Sequence, residues 1–466
     1  MIKKNTVCIC LILLWIGLRS QNISPLKEKW DDLHVWYTTN VPSYQNFDYS
    51  VSNCDLRANS LSWQLSGYLR LFKATKDKAY LIKFINHCIY LQQYRIDEQI
   101  GNGQKAWIGL EEETYDMCDA NDDNAEPSYF NSLLIHPMAE FVEMVLNEPG
   151  HALYHTSLPI QPNTPSDLVD ITSLNSLNPG FPILGYGDFA NWLGKRVEET
   201  ISYMMGNYWD NTYGVKNHFQ DDCYASSLNE KRECGTAMNL NAPFGTTLLY
   251  MALADTNFGY GNNSVSYLDK VRLLASMNKQ TLFLFNQCEG AVFSGDVFEL
   301  LLNNSYSWYH AGWGTRREFC LIPDAAFYPE IEVFIEFLED VPHGAMDLWF
   351  IQLCYQTGLS PQFSNNPYFT TVDMERFRNT FTKNIYFQSS DGAHFNTSVL
   401  GTNTQVIGGL LDATWGEAMN WILLYPFDGN SLPNVYDVLV DHASLVMDNN
   451  VPPSYTNCTR KLSSWK

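Results

Sequence analysis

The chain is poor in positive charge and in the short motifs that mark common chemistries. Only 29 of its 466 residues are Lys or Arg, against 51 Asp and Glu, for a formal charge of -22. A surface with no global positive field has nothing to replace phosphate counterions, which argues against a nucleic-acid partner. No CxxC pair exists, so a zinc ribbon or a thioredoxin-like motif is excluded. There is no GxSxG elbow, P-loop, GxGxxG after a strand, HExxH or EF-hand loop. Beyond the first residues no apolar run approaches the roughly 20 residues that cross a bilayer, so stable membrane insertion is not expected.

What the chain has in surplus is aromatic side chains: 13 Trp, 27 Tyr and 26 Phe. That much apolar area offsets chain entropy and excludes a disordered protein. Lys3 and Lys4 ahead of the apolar run from Val7 to Leu18 read as a secretory signal over residues 1–20, with a single catalytic domain over 21–466. Loss of Lys3, Lys4 and Arg19 moves the formal charge to -25. Sequons at Asn22, Asn262, Asn303, Asn396 and Asn457 are glycan sites in a eukaryotic secretory route. Nine cysteines remain outside the signal, an odd number. Cys223 and Cys234 flank a polar loop and are the best pair for a local disulfide. Cys88 and Cys354 sit in apolar helical stretches and read as buried thiols.

Apolar spacings of three and four predict helices over Leu61–Phe72, Tyr80–Leu91, Tyr129–Leu146, Phe189–Met205, Phe244–Leu253 and Tyr267–Phe285. The same spacing recurs over Phe327–Phe337, Met346–Tyr355, Met374–Tyr386, Trp415–Leu424 and Val435–Met447. Several of these are apolar all round, which suits helices packed on both sides in a layered or toroidal all-α domain. A weak repeat supports a toroid: Ser66-Gly67-Tyr68-Leu69, Phe244-Gly245-Thr246-Thr247 and His343-Gly344-Ala345-Met346 each open an apolar helix, then a polar turn and a second helix follow. Such hairpins bury their faces only by stacking on neighbours, and about six are expected.

In a ring of hairpins the inner helices start on one face, and the residues just ahead of those starts line the central mouth. The expected set is Asn59, His136, Asn239, Asn241, the run Glu339-Asp340-Val341-Pro342-His343-Gly344, and Trp415 with Glu417. Aromatic faces stack on sugar rings while amides and acids bond hydroxyls, so this composition suits a sugar site. His343, presented at a helix N-terminus, stays neutral there and can act as a base. The run Trp308-Tyr309-His310-Ala311-Gly312-Trp313-Gly314-Thr315-Arg316-Arg317-Glu318 adds two indoles, a phenol and two guanidiniums that fork onto carboxylates. His136, His310 and His343 leave a metal role open, since ligands can lie far apart in sequence.

The pattern Gly67 to Leu81 (Gly, then Thr75, Asp77, Tyr80 and Leu81), with Glu339-Asp340-Val341-Pro342-His343-Gly344-Ala345-Met346-Asp347 and Asp373-Met374-Glu375-Arg376-Phe377, resembles the six-hairpin (α/α)-toroid carbohydrate-active proteins. Within them it is most like the glucuronyl-epimerase and polysaccharide-lyase-like members. The resemblance implies proton abstraction alpha to a uronate carboxyl, with no cofactor and a polysaccharide or oligosaccharide as substrate. By residue type and position it implies His343 or Tyr309 as base, with Asn241 or Arg316 neutralising the carboxylate. Glu339, Asp340, Arg317, His136, Trp308, Trp313 and Trp415 complete the candidate site.

Two other readings stand beside this one. A glycoside hydrolase of a neutral glycan needs paired carboxylates, such as Glu339 or Asp340 opposite Glu113 or Glu417. A non-catalytic glycan-binding toroid needs only an aromatic cleft. The charge of the chain favours a neutral glycan, although salt screens such fields beyond about 8–10 Å. The oligomeric state is not encoded in any of these patterns.

Overall fold

The helices form where the apolar spacing puts them. The computed structural model describes residues 54–92, 95, 105–107, 127–147, 152–159, 169, 180, 182–211, 214–215, 238–258, 263–282, 284, 304–308, 341–389, 392–395, 399, 421, 423, 424 and 427. Among the described residues there are eight α-helices and two short antiparallel ribbons. In chain order these are α1 (Cys54–Thr75), α2 (Ala79–Gln92), α3 (Pro127–Leu146), α4 (Tyr186–Asn207), α5 (Met238–Phe258), α6 (Ser264–Thr281), α7 (Val341–Gln356) and α8 (Thr371–Asn379). The ribbons are β1 (Trp209–Asp210) with β2 (Gly214–Val215), and β3 (Tyr386–Ser389) with β4 (Gly392–Phe395).

The local chemistry of the turns sets the connections. Asp77 Oδ1 accepts the Ala79 N–H at 3.0 Å and so caps α2, while Asp77's own N–H goes to Thr75 Oγ1 at 3.1 Å. Asp188, in the first turn of α4, accepts the N–H of Gly185 at 3.0 Å. Asp373 does the same for Thr370 at the start of α8, at 2.7 Å. At the end of α7, Gly358 adopts φ +64°, and the Leu359 N–H bonds back to Cys354 O at 3.0 Å. That backbone conformation costs a side-chain-bearing residue energy, so the stop falls on glycine.

Packing follows one plan. The first helices of successive pairs touch in a row, α1 on α3, α3 on α5 and α5 on α7, while α2, α4 and α6 each lie against their own partner. Phe84 of α2 stacks on Phe141 of α3 at 4.9 Å, and Phe141 meets Phe189 of α4 edge-on at 5.8 Å. Trp107 joins the end of α2 to the start of α3: its N–H goes to Asn131 Oδ1 and its indole N–H to Leu91 O, both at 3.0 Å. Tyr68 of α1 meets His87 of α2, and Phe84 and Leu91 of α2 lie by Phe141 and, through Trp107, by Asn131 of α3. Each successive pair is therefore antiparallel, and α1 and α3 run in the same direction. No helix of the described residues is long and apolar enough to cross a membrane.

Two expectations need correction. Asn59, His136, Asn239 and Asn241 do not precede helix starts; they lie inside α1, α3 and α5. Pro137 and Pro243 lie in the interiors of α3 and α5. Each proline leaves only one carbonyl without its intrahelical donor, and helices packed on all sides tolerate that loss. The helix expected to reach Tyr386 ends at Asn379, where a π-helix over Thr380–Ile385 leads into β3. There Thr380 Oγ1 bonds Tyr306 O at 2.6 Å and Asn384 Nδ2 bonds Val399 O at 3.1 Å, so tertiary contacts widen the turn. The helices expected over 327–337 and 435–447, the Cys223–Cys234 pair and residues 1–20 lie outside the described residues.

Candidate functional site

A buried charged cluster lies between α1, α3, α5 and α7. On α1, Ser66, Arg70 and Lys73 follow a four-and-three spacing that puts them on one helix face. On α3, His136, Glu140 and Glu143 repeat that spacing. Glu140 is wholly buried, and its Oε1 receives Lys73 Nζ at 2.8 Å and Arg70 Nη2 at 3.4 Å. The Arg70 guanidinium sits over the Trp349 ring of α7, 5.4 Å from its centroid, and donates to the Tyr250 phenol of α5. His136 stacks on Tyr250 at 6.3 Å and meets Trp349 edge-on at 4.7 Å. One imidazole, one carboxylate, two cations and two aromatic rings from four helices therefore share one place.

Burial and neighbours set the protonation states. Burial pushes the Glu140 carboxyl up, but Arg70, Lys73 and His136 outweigh it and hold the group down at about 2. His136 is pushed down to about 4, mainly by burial, so its imidazole is neutral at neutral pH. Burial drives the Tyr250 phenol well above its ordinary range, and it stays protonated. Glu143 bonds Asn147 at 3.2 Å and is raised by burial, so it takes a proton more readily than Glu140. Arg70 and Lys73 keep part of their side chains in solvent, 22% and 36% exposed, and mark the open side of the cluster. Buried ion pairs of this kind are poor stabilisers in themselves, because desolvation offsets most of the attraction. Among the described residues no group of three or more His, Cys, Asp and Glu could hold a metal ion, and the two cations on Glu140 would repel one.

Among the described residues, His136 is the one member of the expected set that falls in this cluster. Asn241 is buried in α5, and its Oδ1 accepts the Val215 N–H at 2.8 Å, fastening the β1–β2 ribbon. Trp308 is 1% exposed; its indole N–H goes to Asp347 Oδ2 at 2.9 Å and its ring lies 6.2 Å from Trp421. His343 is half-buried at the start of α7, beside Gly344. A Cβ on Gly344 would stand 3.0 Å from Trp308 Cζ2, so the Trp308 indole and the start of α7 are packed together. Tyr309, Trp313, Arg316, Arg317, Glu339, Asp340 and Trp415 lie outside the described residues.

Sequence reasoning missed Arg70, Lys73, Glu140, Tyr250 and Trp349. The available signal was a polar stripe at helical spacing on two otherwise apolar helices, Ser66-Arg70-Lys73 and His136-Glu140-Glu143.

A second charged group is structural. Tyr306 OH donates to Asp373 Oδ1 and accepts from Arg376 Nη1 at 3.0 Å, while Lys279 pairs with the same carboxylate. These bonds tie the end of α6 to the cap of α8. No known protein family matches the chain. No curated protein matches its sequence. No solved structure matches its fold.

Proposed function

We propose that the protein is a secreted carbohydrate-active enzyme that removes the proton alpha to a uronate carboxyl, as a lyase or an epimerase. In this reading the charged cluster between α1, α3, α5 and α7 is the site, and the row of hairpins is part of a ring. The observation that carries it is a buried neutral imidazole, with an Nε2 lacking a hydrogen-bond partner among the described residues, beside two part-exposed cations. Arg70 and Lys73 would take the substrate carboxylate, Arg as a fork and Lys as a point charge. The Trp349 and Tyr250 rings offer faces and edges for the sugar ring.

His136 would accept the proton. An imidazole held near 4 is a weak base, but a carboxylate seated beside it favours the imidazolium and raises that value towards the useful range. His343, at the start of α7, is the competing base from the sequence pattern.

A second reading, hydrolysis of a neutral glycan, draws on the carboxyls of Glu140 and Glu143, which their surroundings push apart in acidity. Against it, residues three apart on one helix lie on the same side of any bound sugar, whereas glycosidases flank the bond.

The test is to incubate the protein with uronate polymers and with neutral glycans, following unsaturated products and reducing ends. Unsaturated product lost in His136→Gln and kept in His343→Gln supports the first reading. Reducing ends without unsaturation support the second.

A further inference from the structure

Three polar atoms of the charged cluster are buried with no hydrogen-bond partner among the described residues: Ser66 Oγ, His136 Nε2 and Glu140 Oε2. Ser66 is 2% exposed, His136 3% and Glu140 fully enclosed. Ser66 stands one turn before Arg70 on α1, and His136 one turn before Glu140 on α3. Since α1 and α3 run in the same direction, the cluster has two tiers. Arg70, Lys73 and Glu140 form one, and Ser66 with His136 forms the other. Folded proteins satisfy buried polar atoms, so three unmet ones in one cluster point to a ligand that brings its own polar groups.

The ligand's groups can be assigned from what each atom can do. Arg70 and Lys73 only donate, so they take an anion. An ionised carboxylate only accepts, so Glu140 Oε2 takes an O–H. A serine hydroxyl both donates and accepts, and it suits a second hydroxyl. We infer that Ser66 and Glu140 read two free ring hydroxyls of the acidic sugar, so that the site selects uronates whose ring hydroxyls carry no substituent. This rests on the reading of the cluster as an acidic-sugar site. A methyl ether removes the donor that Glu140 requires, and a sulfate ester adds negative charge directly against it. Uronates whose ring hydroxyls are neither etherified nor sulfated are therefore the substrate class.

The experiment measures equilibrium binding of a uronate oligosaccharide, of its methyl ethers and of a sulfated counterpart, to the full chain and to Ser66→Ala. Blocking the hydroxyl that meets Glu140 is expected to weaken binding about ten- to a hundredfold, the range for a bond to a charged group. Ser66→Ala is expected to weaken the parent sugar about two- to tenfold and to add no loss with the ether that lacks the matching hydroxyl. Its melting temperature is expected to hold or rise, because the variant removes a buried hydroxyl with no hydrogen-bond partner among the described residues. Equal binding of parent, ethers and sulfated sugar overturns the inference and leaves the acidic-sugar reading standing. A fall in melting temperature with unchanged sugar affinity makes Ser66 structural and also overturns it. Binding of neutral glycans with no binding of any uronate overturns both.

Discussion

Replacing Glu140 by glutamine keeps the side chain's shape and removes one buried charge. In the native protein the carboxyl is held at about 2 against an ordinary 4.5, with Arg70 and Lys73 as its cationic partners. A difference of roughly 2.5 pKa units is about 3 kcal/mol in favour of the ionised form, at about 1.4 kcal/mol per unit. The folded value is depressed, so this stability is fully present above 4.5 and is lost as pH falls towards 2. Glu140→Gln should therefore unfold about 3 kcal/mol more easily than the wild type near pH 7, and the gap should shrink to less than half near pH 3. Urea unfolding of both proteins at the two pH values measures this, with coincident probes to check two-state behaviour. A gap below about 1 kcal/mol at pH 7, or one that does not change with pH, would refute the idea that Arg70 and Lys73 are bound to an ionised Glu140.

His136 gives the complementary profile. It is held at about 4 in the fold against an ordinary 6.5, so the unfolded chain binds its proton first and stability falls as pH drops from 6.5 towards 4. His136→Gln should flatten that part of the pH–stability curve, while an unchanged slope would place the titration elsewhere. Gly245→Ala tests the close approach of α5 to its neighbours, since the added Cβ would stand 2.7 Å from Phe350 Cε2 and 3.1 Å from Leu274 Cδ1. The clash should cost about 1–3 kcal/mol, only partly offset by alanine's better helix propensity, and thermal melting reads the net loss.

Much of the fold was legible because buried helices write themselves as apolar spacing. All eight described helices coincide with predicted stretches, and the turn at Thr75-Lys76-Asp77 shows its capping chemistry in the sequence. Cys88 and Cys354 are the buried free thiols expected of their apolar surroundings. The start of α5 at Met238 was not legible, because the apolar spacing begins at Phe244 and what carries the helix past Pro243 is dense packing from other helices. The π-helix at Thr380–Ile385 was hidden for the same reason, as the contacts that widen it come from Ser305, Tyr306 and Val399, far along the chain. The charged cluster was the larger omission. Arg70 and Glu140 lie 70 residues apart, so only the fold reveals that each stripe is the other's counterion. His136 could be singled out, but not what surrounds it.

Proton exchange at the carbon alpha to the uronate carboxyl is common to lyase and epimerase, and it reports directly on the proposed base. The measurement is uptake of solvent deuterium by a uronate oligosaccharide incubated with the wild type and with His136→Gln. The account expects uptake by the wild type and a loss of about a hundredfold or more in the variant, the scale of general base catalysis. Undiminished uptake by His136→Gln, or none by the wild type, would contradict it.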